Sequence, residues 1–247
     1  MKIVAIVQAR MTSTRLPGKV LLELPSGSGV TVLEHVIRRL KRVKLLDEIV
    51  VAIPTDKEED VLVPIIEKEN VKVFRGDKNN VLERYYKAAV EHKADVIVRI
   101  TSDCPCIDPK IVNDFIEYFL KGNAVYATAD FEKKLPKGLD VEVFSFAVLE
   151  NTYENAETDY DKEHVTSFIY TTDKFSFRQL LLQPPKDIIA PGIRLTLDTP
   201  EDCNLLCGVF NHLYEANPFF DIYDIIDLFN KHPELKLINQ PIEKQID

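Results

Sequence analysis

Two rhythms of hydrophobic and polar positions alternate along this chain. Short, nearly continuous apolar runs give way to stretches in which apolar residues recur every three or four positions. The first rhythm describes strands buried on both faces, the second amphipathic helices. Ile3-Val4-Ala5-Ile6-Val7 predicts a strand over about Lys2 to Ala9. Val32, Leu33, Val36, Ile37, Leu40 and Val43 follow at helical spacing, with Arg38, Arg39, Lys41 and Arg42 between them as the solvated face. Glu48 to Ile53 predicts a second strand, after which Thr55 or Asp56 caps a helix that Pro64 ends or kinks. Val71 to Phe74 is a third strand, Val81 to His92 a helix, and Asp95 to Ile100 another buried strand. Asp108-Pro109 reads as the N-cap and first residue of a helix reaching about Leu120.

The second half is less regular. Val125 to Ala129 and Val141 to Phe144 predict strands around the charged loop Glu132 to Gly138, and Asn151 to Asp161 is polar and acidic. A helix over about Lys162 to Thr171, strands over Phe175 to Leu182 and Ile193 to Leu197, a helix opened by Asp198 to Asp202 and a last helix from about Tyr223 to Asn230 complete the pattern. Strands alternating with helices predict β-α-β units and an α/β fold with a mostly parallel sheet. No repeat, low-complexity stretch or clean linker interrupts residues 1–247, so a single domain with an inserted segment at about 130–185 is expected.

Composition narrows the functional classes. With 247 residues and 45% hydrophobic content the chain can bury a large core. A net charge of −9 argues against a nucleic-acid-binding face, though not against a locally bound small anion. No apolar run is long enough to span a bilayer, and the N-terminus enters a strand at once, so no membrane association and a cytoplasmic location are expected. Cys104 and Cys106 flank one proline and Cys203 and Cys207 stand one helical turn apart; neither pair has the C-x-x-C spacing of a zinc site, and all four read as reduced, buried thiols.

Against the acidic background, Gln8 to Lys19 stands out. Arg10, Arg15 and Lys19 share one short loop with Thr12, Ser13, Thr14 and a Pro17-Gly18 turn, directly after a buried strand. That composition suits an anion with several phosphates. Two further clusters, Arg99 to Pro105 and Arg194 to Pro200, also follow apolar runs, where open α/β sheets bind ligands. Each brings one carboxylate, Asp103 and Asp198. Mg2+ takes one or two protein carboxylates and completes its shell with water and phosphate oxygens, so the pair is a candidate metal site. Each also has an ordinary structural use, Asp198 as a helix N-cap and Asp103 in an Asx-turn.

Q-A-R-M-T-S-T-R-L-P-G-K at 8–19, R-I-T-S-D-C-P-C-I-D-P at 99–109, G-L-D-V-E-V-F at 138–144, E-H-V-T at 163–166 and R-L-T-L-D-T-P-E-D at 194–202 resemble the cytidylyltransferase family, which includes CMP-Kdo and CMP-acylneuraminate synthetases. The likeness runs from Met1 to about Gly208 and is nearest the spore-coat polysaccharide biosynthesis branch. It implies a nucleotide-diphospho-sugar transferase-like fold, a three-layer α/β/α sandwich around a mixed sheet. It implies CTP and Mg2+ as ligands, and an enzyme that transfers CMP to a sugar acid or a phosphorylated sugar or polyol with release of pyrophosphate. By position, Arg10, Arg15 and Lys19 match the triphosphate loop, Gln8 and Ala9 the base cradle, Thr101 the base or ribose contact, and Asp103 and Asp198 the metal carboxylates. Arg15, Lys19 and Asp103 are the implied catalytic residues. The sequence departs from the pattern at Ser102, Cys106, Asn80 and Lys162, none of them a phosphate or metal group.

The acceptor side is less defined. Asp140 and Glu142 share one face of a strand by period two, and His164 opens a helix; these are the candidate acceptor-binding residues. One of Tyr85 and Tyr86 is expected in the core and the other at the pocket, and Lys133, Lys134 and Lys137 lie in the inserted segment. The Val165, Phe168 and Ile169 stripe fits a homodimer contact or an internal core equally. A glycosyltransferase using a preformed nucleotide sugar is the competing reading; its D-x-D metal motif is not met, since Asp103 has no second Asp two residues on.

Overall fold

Strand β1 (Ile3–Gln8) pairs in parallel with β2 (Glu48–Pro54) on one side and β4 (Val96–Thr101) on the other, and β3 (Lys72–Gly76) extends the parallel set beyond β2. Past β4 the direction reverses. β6 (Glu142–Ser145) runs antiparallel to both β4 and β5 (Tyr126–Ala129), and β7 (Gln179–Leu182) lies parallel to β5. The computed structural model describes residues 1–122, 124–129, 135–171, 179–182 and 192–240, and their strands form one sheet in the order β3-β2-β1-β4-β6-β5-β7. This is the mixed, mostly parallel sheet expected.

Side chains leave a strand on alternating faces, and β1 shows the consequence. Ile3, Ala5 and Val7 enter one core with α1 (Val32–Leu40), α4 (Pro109–Lys121), α8 (Pro200–Leu213) and α9 (Ile222–Lys231). Val4 and Ile6 enter a second core with α3 (Val81–Glu91), α5 (Phe146–Asn155) and Ile169 of α7 (Ser167–Thr171). Helices therefore cover both faces and make three layers. No helix among the described residues is long and apolar enough to cross a membrane.

Several sequence expectations are corrected. Pro64 neither ends nor kinks its helix: a 3-10 turn (Lys57–Val61) leads into α2 (Leu62–Lys68), and Pro64 falls in the first turn of α2, where an N–H has no intrahelical partner to lose. Arg39 is not on a solvated face; it is buried, with its guanidinium 4.5 Å from the centre of the Phe220 ring and Nη1 donating to Phe220 O (2.8 Å). The acidic stretch 151–161 is largely helical, in α5 and α6 (Asp159–His164). The helix expected over 162–171 breaks at Val165, whose φ of 63° is outside the helical region; His164 ends α6 rather than opening a helix. Val165 and Ile169 belong to the second core, so the stripe there is spent inside the chain. Tyr86 does not face the cleft but stacks on Tyr153 with ring centres 4.3 Å apart, while Tyr85 is buried. Cys203 and Cys207 are only half buried. Of the strand expected over 175–182, 179–182 is observed and the rest lies outside the described residues, as do Lys133 and Lys134.

Ile193 to Leu197 is not a strand of the sheet. It is an extended segment held from both sides: Leu195 N–H donates to Lys137 O (2.7 Å) and Leu197 N–H to Asp103 O (2.8 Å). Gly138 permits the approach, because a Cβ there would stand 2.7 Å from Leu195 C. The hydrogen bonds that would have made a strand instead bring Asp198 beside Asp103.

Candidate active site

The loop after β1 is closed on one carbonyl. Met11 O accepts from Ser13 N–H (3.1 Å) and from Gly18 N–H (2.9 Å), and Met11 N–H donates to Glu59 Oε2 (2.8 Å). Gly18 has a φ of 70°, which turns the chain into a short 3-10 helix beginning at Lys19. Lys19 thus stands on a fixed backbone facing inwards, while Arg10 and Arg15 leave the loop towards solvent; the side chain of Arg15 is 50% exposed and that of Lys19 12%.

Lys19 Nζ donates to Asp103 Oδ2 (2.6 Å) and to Asp198 Oδ1 (2.8 Å). Residues 84 and 179 positions away in the sequence thereby converge on one nitrogen. Asp103 follows β4, and Ser102 N–H donates to Gln8 O (3.1 Å), tying the two loops at their base. Asp198 is not the N-cap of α8. Thr199 takes that role and forms a capping box with Asp202, which leaves the Asp198 carboxylate for the cleft.

A buried polar network holds Asp198 from behind. Arg194 Nη2 pairs with Asp198 Oδ2, and Arg194 Nε donates to both oxygens of Asp202 (3.1 and 3.3 Å). Asp202 also accepts from Asp198 N–H (3.0 Å), Thr199 N–H (3.1 Å) and Asn239 Nδ2 (2.9 Å). Arg15 Nη2 reaches Asp198 Oδ1 from the open side at 3.2 Å. Burial alone would raise the Asp198 pKa, but Lys19, Arg15 and Arg194 outweigh it and hold the carboxyl below its usual range. Burial alone would lower the Lys19 pKa; Asp103 and Asp198 outweigh that and hold it above its ordinary value. A lysine whose pKa is held up by two neighbouring carboxylates is a fixed positive charge, not a base.

These groups line a cleft of about 230 Å³ at the carboxyl ends of β1 and β4. Gln8, Ala9, Arg10, Arg15, Lys19 and Thr101 line it, as do Asp103, Asp198 and His164. Asp140 and Glu142 are not among its lining residues. Asp140 precedes β6 and accepts from Gly138 N–H (3.0 Å). Both oxygens of Glu142 have partners within the chain: Oε2 pairs with Arg99, and Oε1 accepts from Tyr126 Oη (2.5 Å) and Thr166 Oγ1 (2.6 Å).

His164 and Glu163 form a further wall of the cleft, and Glu163 Oε1 lies 3.6 Å from Arg10 Nη2. A γ-turn sets that wall. Thr166 N–H donates to His164 O (2.6 Å) across Val165, a fully buried β-branched residue at φ 63° and ψ −56°. This hand of γ-turn is rare and strained for such a residue. Packing of Val165 in the second core and the Thr166–Glu142 bond hold it there.

Sequence reasoning overlooked Glu59 and Arg84. Glu59 is completely buried and props the loop through Met11, but one acidic residue inside Glu58-Glu59-Asp60 carries no mark of that role. Arg84 lines the cleft from α3, almost wholly buried, with Nη1 donating to Asp77 O (2.5 Å). Its signal, an arginine on the buried side of an amphipathic helix, was present in the pattern. The thiols offer no chemistry here: burial pushes Cys104 well above its ordinary pKa and Cys106 up to about 12, so both stay protonated.

Comparison with known proteins follows the same outline. The family model described as Cytidylyltransferase matches residues 4–234. MJ1063 of Methanocaldococcus jannaschii is 40% identical over 245 residues, 99% of this chain and 97% of that protein. Spore coat polysaccharide biosynthesis protein SpsF of Bacillus subtilis is 32% identical over 234 residues, 94% of this chain and 95% of its own. The solved structure of a cytidylyltransferase from Leptospira borgpetersenii superposes with a TM-score of 0.87 at 32% identity, covering 95% of this chain and 96% of that one.

Proposed function

The chain belongs to the cytidylyltransferase family, and from that premise we propose that it transfers CMP from CTP to a small acceptor, a sugar acid or a phosphorylated sugar or polyol, with release of pyrophosphate. The product is an activated precursor for surface polysaccharide or glycoconjugate, in keeping with the name of the Bacillus subtilis relative, a spore coat polysaccharide biosynthesis protein. One observation carries the reading: a cationic loop and two carboxylates from distant parts of the chain meet on Lys19.

Asp103 and Asp198 fit a divalent ion. Their oxygens already converge on one cation, and two hard carboxylate donors match the protein share of a Mg2+ shell. Mg2+ held there would neutralise and polarise the phosphoryl oxygens of the nucleotide. The chain's own groups do the rest. Arg10, Arg15 and Lys19 bind the triphosphate, and Arg15 and Lys19 stabilise the charge that builds on the leaving pyrophosphate. Gln8 and Ala9 cradle the base and Thr101 meets the base or ribose. His164 contacts the acceptor, with Asp140 and Glu142 shaping that side; Glu142 acts through its bonds to Arg99 and Thr166. Acceptor oxygen and α-phosphorus held in line need no covalent participation by the protein.

The test measures pyrophosphate after incubation with each of the four nucleoside triphosphates, Mg2+ and a panel of sugar acids, sugar phosphates and polyol phosphates. Release with CTP on one acceptor class is expected. Release driven equally by UTP, ATP or GTP, or transfer from a preformed nucleotide sugar, would overturn the proposal.

A further inference from the structure

The two oxygens suited to a divalent ion are the two that Lys19 occupies. Its ammonium lies 2.6 Å from Asp103 Oδ2 and 2.8 Å from Asp198 Oδ1, within an ordinary charge-assisted hydrogen bond of each. A dication bound to the same oxygens would sit against that ammonium, and like charges at such separations repel strongly in a partly buried site. Ammonium and dication are therefore alternatives at this point. We propose, building on the cytidylyltransferase reading, that Lys19 is an internal counter-cation which keeps divalent ions off Asp103 and Asp198 until a nucleoside triphosphate draws the ammonium onto its phosphates, so that the metal enters with the nucleotide and not before it.

The local structure supports such an exchange. Lys19 is anchored by its backbone at the start of the 3-10 helix after Gly18, so only the four-carbon side chain has to move. The polyphosphate is the one ligand that supplies new anions to the ammonium and oxygen donors to the metal together. Asp198 does not collapse when Lys19 leaves, because Arg194 and its own N–H bond to Asp202 hold it from behind. Arg15 is a built-in control. It lies 3.2 Å from Asp198 Oδ1 and forms no ion pair with Asp103 among the described residues, so it weakens one ligand without bridging the pair.

The experiment titrates Mn2+ into the nucleotide-free protein and reads free Mn2+ by electron paramagnetic resonance. Wild type, Lys19→Met and Arg15→Gln are compared, each checked by circular dichroism. Lys19→Met is expected to bind Mn2+ at least tenfold more tightly than wild type, whereas Arg15→Gln gains threefold or less. Adding Asp103→Asn to Lys19→Met should abolish the gain. With α,β-methylene-CTP present, and its own Mn2+ chelation subtracted from a protein-free titration, wild type should bind Mn2+ as tightly as Lys19→Met does without it. Equal Mn2+ affinity of wild type and Lys19→Met, or an equal gain from Arg15→Gln, overturns the counter-cation role. Either result leaves the cytidylyltransferase reading standing, since pyrophosphate release by the wild type tests that separately, and a failure of that release with intact Mn2+ behaviour overturns only the nucleotide assignment. If Lys19→Met proves misfolded, Lys19→Gln takes its place under the same criteria.

Discussion

The cationic and carboxylate walls of the cleft are built on opposite principles. The cationic wall is a single loop of contiguous residues, closed on Met11 O, with Arg10 and Arg15 reaching into solvent. The carboxylate wall is assembled from two distant segments; Asp198 is only 16% exposed and is held by Arg194, which is itself locked to the wholly buried Asp202. The difference fits the function proposed above. Cations meant to receive a flexible polyphosphate can be solvated and mobile, because such a ligand organises them as it binds. Carboxylates meant to share one small cation must be held close to their final positions, and for Asp198 the buried network of Arg194 and Asp202 provides that rigidity.

The sharpest way to break this comparison is to remove the two arginine partners of Asp198 one at a time. Arg194→Met strands Asp202 as an uncompensated buried charge and should destabilise the fold by about 3–5 kcal/mol, read by urea unfolding. Next in size, Asp103→Ala should raise the barrier to pyrophosphate release by about 3 kcal/mol, a loss of two orders of magnitude or more, with the fold retained by circular dichroism. Normal turnover would show that the carboxylate wall has no part in the chemistry.

The third effect separates the cleft from the packing behind the loop. His35 is buried in α1 with Nε2 2.5 Å from Leu24 O, and burial pushes its pKa down to about 4. In the unfolded chain the imidazole takes its proton near pH 6.5, so its contribution is complete above that value and is lost as pH falls towards 4. The loss should be about 3 kcal/mol, and His35→Gln should flatten it. The ionic bridge in the cleft has a different window. The lowered pKa of Asp198 keeps its contribution until pH falls below the ordinary carboxylate range, and the raised pKa of Lys19 keeps it until pH rises past the ordinary lysine value. Acid therefore weakens the packing under α1 before it touches the bridge. The smallest effect is Arg15→Gln, which removes a half-exposed partner of Asp198 and should change stability by about 0–1 kcal/mol while slowing turnover. A loss as large as that of Arg194→Met would erase the distinction between the walls.

Local pattern and local chemistry were legible in the sequence. The continuous run at residues 3–7 announced a strand buried on both faces, the spacing from Val32 announced α1, and Asp108-Pro109 announced the start of α4. The clustering of three cations in one loop was visible because they are neighbours in the chain. Every one of these depends on interactions within a few residues, which a linear reading can follow. The second half resisted for the opposite reason. Ile193 to Leu197 has the composition of a strand, and what it bonds to is decided by Lys137 and Asp103 from elsewhere in the chain. Arg39 looks solvated by composition and is buried because Phe220 covers it. The pairing of Asp103 with Asp198 could be listed as a possibility from their residue type, but Thr199 rather than Asp198 caps α8, and Lys19 meets both carboxylates, only because the sheet and the 193–198 segment bring three remote positions to one point. Residue order specified which chemical groups this protein has and which elements carry them. Long-range packing alone, by setting distances that no local propensity encodes, decided which of those groups touch.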